Sequence, residues 1–158
     1  MIRLRFVTCN DPFSALIRSQ AGICVPFTPS HVEAVALDGN SYIGQHFDGG
    51  MQSRPAGYDK ATLLHEKFVD LPCAAAQERR FYEFVVSKIG QPYDWQSIAS
   101  FVAPDINLHQ PNHLICSAMM AAGLRACKYF PLPLTVPFHH ISPRDLFLVL
   151  SSHVQIDH

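Results

Sequence analysis

The sequence predicts an α+β domain in which a small antiparallel sheet, or partial barrel, packs against helices. Three observations carry this expectation. Short apolar–polar alternations cluster in the first half of the chain, one pair of them flanks an Asp-Gly turn, and the second half carries apolar residues at helical spacing bounded by glycine and proline. At 158 residues and 48% hydrophobic content, the chain is long enough for one sizeable core and too apolar for wholesale disorder. No repeat, low-complexity tract or linker divides it, so a single domain over residues 1–158 is expected.

Residues 2–8 alternate apolar Ile2, Leu4 and Phe6 with Arg3 and Arg5, the period of a strand. Asp11 and Pro12 then read as the N-cap and first position of a short helix, with Phe13, Leu16 and Ile17 as its apolar stripe and Gly22 as its end. Cys24 to Pro29 is a connector. The runs His31–Leu37 and Ser41–Phe47 flank Asp38-Gly39-Asn40 and predict a hairpin. With Gly39-Asn40 as a two-residue turn, Asp38 faces Ser41, Glu33 faces His46 and His31 faces Asp48. Asp48-Gly49-Gly50 turns the chain into a third strand near Met51–Arg54, and another strand is expected over Leu64–Leu71.

Ala74–Ile89 is the clearest helix. Ala74, Phe81, Val85 and Ile89 share a face, Gly90 stops it and Pro92 follows. Asp94 caps a second helix carrying Trp95, Ile98, Ala99 and Val102, and residues 103–113 read as a loop. A third helix begins at Cys116, with Met120, Gly123, Leu124 and Cys127 on the same buried face. The proline-rich stretch Phe130–Pro143 is expected to be extended, and Ser142-Pro143-Arg144-Asp145 opens a final short helix through Leu146–Leu150.

A formal net charge of -1 gives no reason to expect a nucleic-acid partner, and no apolar run approaches membrane-spanning length. The alternating N-terminus lacks the apolar core of a signal peptide, so a cytoplasmic location is expected. The five cysteines, Cys9, Cys24, Cys73, Cys116 and Cys127, form no C-x-x-C pair and are expected to be reduced.

One of them sits where chemistry is available. A thiol in the first turn of a helix faces unpaired N–H groups and the positive end of the helix dipole, which favour the nucleophilic thiolate. A cysteine hydrolase also needs a base, a group that orients the base, and an oxyanion hole. Cys116 is the candidate nucleophile and His31 the candidate base. Glu33, two residues along the same strand, is the candidate orienter, with His46 and Gln45 on the facing strand as alternatives. The plainer reading is that Cys116 is a core residue, as Cys127 is expected to be. A metal reading rests on His109, His113 and Cys116, but Pro111 keeps the two histidines off one helix and no second cluster supplies a fourth ligand, which would have to come from His139-His140 or His31 elsewhere in the chain. Neither a metal nor a cofactor is therefore expected.

Ser30-His31-Val32-Glu33, Asp38-Gly39, Asp48-Gly49-Gly50-Met51 with Arg54-Pro55, Ile89-Gly90-Gln91-Pro92-Tyr93-Asp94-Trp95, Cys116-Ser117 and the late Ser142-Pro143-Arg144-Asp145-Leu146 form a familiar series. Over about residues 28–148 the chain resembles the circularly permuted branch of the NlpC/P60 papain-like cysteine hydrolases, in particular YiiX/YebB-like proteins and their phage- and prophage-borne relatives. The resemblance implies a permuted papain-like fold, with the histidine strand ahead of the cysteine helix. It also implies Cys116 as nucleophile, His31 as base and a nearby polar residue, here Glu33, His46 or Gln45, as third member. Relatives often read C-S-E-L at the nucleophile, where this chain has Cys116-Ser117-Ala118-Met119.

The expected activity is a cysteine peptidase or amidase whose substrate is a peptide, such as a cell-wall peptide, or another amide. Lipid acyl hydrolysis or transfer on the same fold, as in lecithin:retinol acyltransferase-like proteins, is one alternative. A catalytically inactive papain-like binding or assembly module is the other. The phage-borne relatives add the expectation of a virion-associated protein or one released by lysis.

Overall fold

Strand β1 (Ile2–Cys9) is where the sheet is tied together. It pairs on one side with β2 (His31–Val35) and on the other with β5 (Leu63–Leu71), and β3 (Ser41–His46) and β4 (Gly50–Pro55) extend the sheet outward in the order β4-β3-β2-β1-β5. Every pairing is antiparallel. This computed structural model describes residues 1–19, 27–93, 115–130 and 141–153. Among the described residues the helices are α1 (Pro12–Ser19), α2 (Ala75–Ser87), α3 (Cys116–Ala126) and α4 (Pro143–His153). The fold is therefore α+β, as expected. The helix proposed after Asp94, the loop through residue 113, Gly22, Cys24 and most of the proline-rich stretch lie outside the described residues.

The alternation in β1 sorts its side chains between two environments. Ile2, Leu4 and Phe6 are fully buried in a core with Val32, Ala34, Ile43, Val69 and Leu71 from the other strands. Phe81 and Val85 of α2, Met119, Met120 and Leu124 of α3, and Leu146 and Leu150 of α4 complete that core. Helices α2 and α3 pack closely because Gly123 has no side chain: a Cβ there would lie 2.9 Å from the Phe81 ring. Tyr82 is buried among these apolar residues, yet its hydroxyl is satisfied by donating to the Val35 carbonyl at 2.7 Å. On the opposite face, Arg3 pairs with Asp70 and Arg5 enters a buried polar cluster.

Local signals hold at most element ends. Asp11 accepts from the Ser14 amide at 2.8 Å as the cap of α1. Ser142 and Asp145 cap α4 reciprocally, and that helix runs on to His153, three residues beyond the expected Leu150. Three stripe assignments differ, since Leu16, Ala74 and Ile89 are exposed on the surface.

The hairpin register also differs. Ala34 lies opposite Ile43 and Val35 opposite Tyr42, two residues away from the expected pairing. The turn is longer than a two-residue loop: the Ala36 amide donates to Ser41, Gly39 donates back to Ala36, and Asn40 donates to the Asp38 side chain. Gly39 takes a positive φ of 72° to close it. A shift of two preserves which face each side chain occupies. Continuing the observed register puts Gly44 opposite Glu33 and His46 opposite His31.

Candidate active site

The first residue of α3 is Cys116, buried at 2% exposure, and its N-cap Ile115 offers no side chain to the helix end. The first intrahelical bond is donated by the Met119 amide, so the amides of residues 116–118 precede the hydrogen-bonded ladder. The next residue anchors this helix end, because the buried Ser117 hydroxyl donates to the Ile141 carbonyl at 2.6 Å. No local sequence pattern announces that role.

His31 begins β2 and stands against Cys116, whose thiol interacts with its imidazole. Burial alone would depress its pKa. The charge and hydrogen bond of Cys116, reinforced by Glu33, reverse that and hold the imidazole up to about 10. Nε2 of His31 lies 3.6 Å from Oε2 of Glu33 and has no hydrogen-bond partner of its own.

Glu33 is fully buried and highly connected. Its Oε1 accepts from Arg5 at 2.6 Å and its Oε2 from the Tyr58 hydroxyl at 3.3 Å. Burial opposes its charge, but the neighbouring His31 and the hydrogen-bonded Arg5 keep its carboxyl below the usual range. Arg5, opposite Glu33 on β1 and 1% exposed, also holds Asp59 through two donors at 3.0 and 3.2 Å and Glu66 at 2.7 Å, with its guanidinium 4.4 Å from the centre of the Tyr42 ring. Gly44 makes room for the group, since a Cβ there would lie 2.8 Å from Glu33 Cβ and 3.4 Å from His31 Nε2.

The alternatives for the third position fall in different places. His46 Nε2 is 3.7 Å from Glu33 Oε2, and the His46 ring centre is 5.0 Å from that of His31. Burial, with the charge of His31, pushes its pKa down to about 3, so it is the neutral member of the group. Gln45 lies on the other side of β3. Its side-chain amide donates to the Pro92 carbonyl at 2.6 Å, while the Met51 amide and carbonyl bond Gln91 and Gly90. The Gly-x-Pro-Tyr stretch is thus pinned alongside β4 and next to the site. A cleft lined by His31, Gln45, His46, Tyr58 and Tyr93 opens beside the cluster.

The structure therefore brings Cys116, His31, Glu33 and His46 together and assigns Gln45 to a supporting contact. Arg5, Gly44, Tyr58 and Asp59 surround them and were not singled out from the sequence for this site. Arg5 and Glu33 are 28 residues apart and Arg5 and Asp59 are 54 apart, and the strand itself does not distinguish Arg5 from the equivalent Arg3. His109 and His113 of the sequence-based zinc reading lie outside the described residues. No protein-family model matches the chain, and neither does any curated protein.

Proposed function

We propose that this protein is a thiol hydrolase of permuted papain-like type that cleaves an amide or peptide bond. The observation that carries this reading is the contact of a helix-terminal cysteine with a histidine whose Nε2 faces a buried, ionised glutamate. Each part has a place in the reaction. His31 takes the proton of Cys116, and the sulfur attacks the carbonyl carbon. Amides at the start of α3 stabilise the oxyanion. The imidazolium then gives its proton to the leaving amine, forming a thioester, and water activated by His31 releases the acid and regenerates the thiol. Glu33 fixes the ring and balances its charge in the transition state, and Arg5 and Tyr58 hold Glu33 in place. The order of His31 before Cys116, with the Gly90–Tyr93 segment beside them, is what a permuted papain-like chain requires. Cell-wall peptides are the first substrates to assay.

The test is selective alkylation. Iodoacetamide at pH 6–7 is expected to label Cys116 fastest of the cysteines, and His31→Ala to slow that labelling. Equal labelling of all cysteines, or no effect of His31→Ala in a folded protein, would count decisively against a Cys116–His31 pair.

A further inference from the structure

The same cluster presents a second chemistry. Nε2 of His31 and Nε2 of His46 converge on Oε2 of Glu33, at 3.6 and 3.7 Å, and one donor atom from each of the three residues lies within 4.8 Å of the others. Both imidazole nitrogens are buried and lack a hydrogen-bond partner, an arrangement that costs free energy unless something binds there. His46 is only 5% exposed, so its orphaned nitrogen is aimed into the cluster and away from solvent. The geometry points to a divalent-cation site: His31, Glu33 and His46 form a two-histidine, one-carboxylate face for a zinc-class ion, with remaining coordination positions open to the cleft.

The distances and the charge both fit. Ligand atoms on a tetrahedral zinc ion stand about 3.4 Å apart, given metal–ligand bonds near 2.0–2.1 Å. The observed 3.6 and 3.7 Å separations from Glu33 need only a small contraction, while the two histidines, whose donor atoms lie within 4.8 Å of each other, draw together around the ion. Arg5 is faced by three carboxylates, Glu33, Asp59 and Glu66, so with the ion in place of the His31 proton one guanidinium leaves two negative charges for a dication to neutralise. Tyr58 donates to the ligating oxygen and Arg5 to the other, which fixes the carboxylate as an outer shell does in metal sites. His31, His46 and Tyr58 all line the cleft, which supplies an entry path.

Metal binding and base catalysis exclude each other. A neutral imidazole has one free lone pair, and once His31 gives it to a metal the ring cannot accept a proton from Cys116. The ion therefore switches off the thiol chemistry. That consequence rests on the hydrolase reading, whereas the binding does not.

Protein stripped with chelator is titrated with zinc chloride, followed by calorimetry and thermal melting, and cobalt(II) is used as a spectroscopic probe. Wild type and Cys116→Ser are both expected to bind one equivalent and to melt at higher temperature with zinc. His46→Asn is expected to weaken binding by more than about tenfold. Cobalt should give ligand-field bands without a sulfur-to-cobalt charge-transfer band, a readout on wild type that stands even if His46→Asn does not fold. Zinc should also slow alkylation of Cys116 in the wild type. Absence of stoichiometric binding, binding lost in Cys116→Ser, full affinity in a folded His46→Asn, or a sulfur–cobalt band overturns the site. Slow alkylation of Cys116 without zinc, with binding intact, would instead remove the hydrolase reading alone.

Discussion

At Gly44 one added methyl group would reach both members of the proposed base–carboxylate pair. Its Cβ would lie 2.8 Å from Glu33 Cβ and 3.4 Å from both Glu33 Oε2 and His31 Nε2. Neither neighbour can retreat easily, because Arg5 and Tyr58 hold the carboxylate and β2 holds the histidine. Gly44→Ala should therefore cost about 1–3 kcal/mol of stability through overpacking. Displacing the pair should slow iodoacetamide labelling of Cys116 by about ten- to a hundredfold. Urea denaturation and mass-spectrometric labelling rates check the two parts, and unchanged values for both would mean the contact is not constraining. Cys9 serves as an internal control in the same cleft. Burial first, then the charges of Asp59 and Asp11, push its thiol up to about 11. A raised thiol pKa leaves the reactive thiolate a minor form throughout neutral pH. Labelling of Cys9 should climb about tenfold per pH unit from pH 7 to 10, where an unperturbed thiol would level off above about 8.5. A plateau by pH 9 would show that Cys9 is not desolvated.

Among the elements, β4 is the one whose outer edge positions the segment next to the site, and Gly50 is where that contact is tightest. Gly39 and Gly50 share nearly the same left-handed backbone, with φ of 72° and 74°. A Cβ at Gly39 meets nothing within 4 Å, whereas at Gly50 it would lie 2.1 Å from the Gln91 carbonyl oxygen. Gly39→Ala should thus cost only the backbone strain, about 1–2 kcal/mol. Gly50→Ala should cost clearly more and detach Gly90–Pro92 from Met51 and Gln45. Paired denaturation curves test this, with faster amide exchange at Met51 and Gly90 as the local signature. Equal costs for the two substitutions would show that the Gly50–Gln91 approach is not confining. This contrast also marks what was legible in the sequence. The alternation of Ile2, Leu4 and Phe6 and the spacing of Met120 and Leu124 specify strand and helix locally, so those elements could be read directly. The turn after Ala36 could not, because its width is set by three hydrogen bonds and one glycine conformation that the Asp-Gly signal leaves open. His31, Glu33 and Cys116 were legible as residue types that do one chemistry together. Pattern alone left Cys116 indistinguishable from a core thiol, and the order of several short motifs was needed to pair it with His31.

For the whole molecule, the buried arginine of β1 joins parts that local pattern leaves separate. Arg3 and Arg5 occupy equivalent positions in the alternation, yet Arg3 meets exposed Asp70 and Arg5 is buried. The difference comes from the segment between β4 and β5, which brings Tyr58 and Asp59 over this face of the sheet, and from the hairpin that delivers Glu33. One guanidinium thereby ties together β1, β2, β5 and that connection, and the carboxylates hold it charged well above its ordinary range despite burial. Removing it should be far more costly than removing an exposed ion pair. Arg5→Met keeps much of the side-chain volume but leaves Glu33 and Asp59 buried without their cation, and should destabilise by about 3–5 kcal/mol. Asp70→Asn at the exposed Arg3 pair should cost no more than about 1 kcal/mol. Arg5→Lys keeps the charge but cannot donate to three carboxylates in a planar fork, so it should recover only part of the loss. Urea denaturation of the three variants orders them, with Asp70→Asn closest to wild type, then Arg5→Lys, then Arg5→Met. If Arg5→Met were as stable as wild type, the polar cluster would be dispensable to the fold, and the rigidity attributed to Glu33 would need another source.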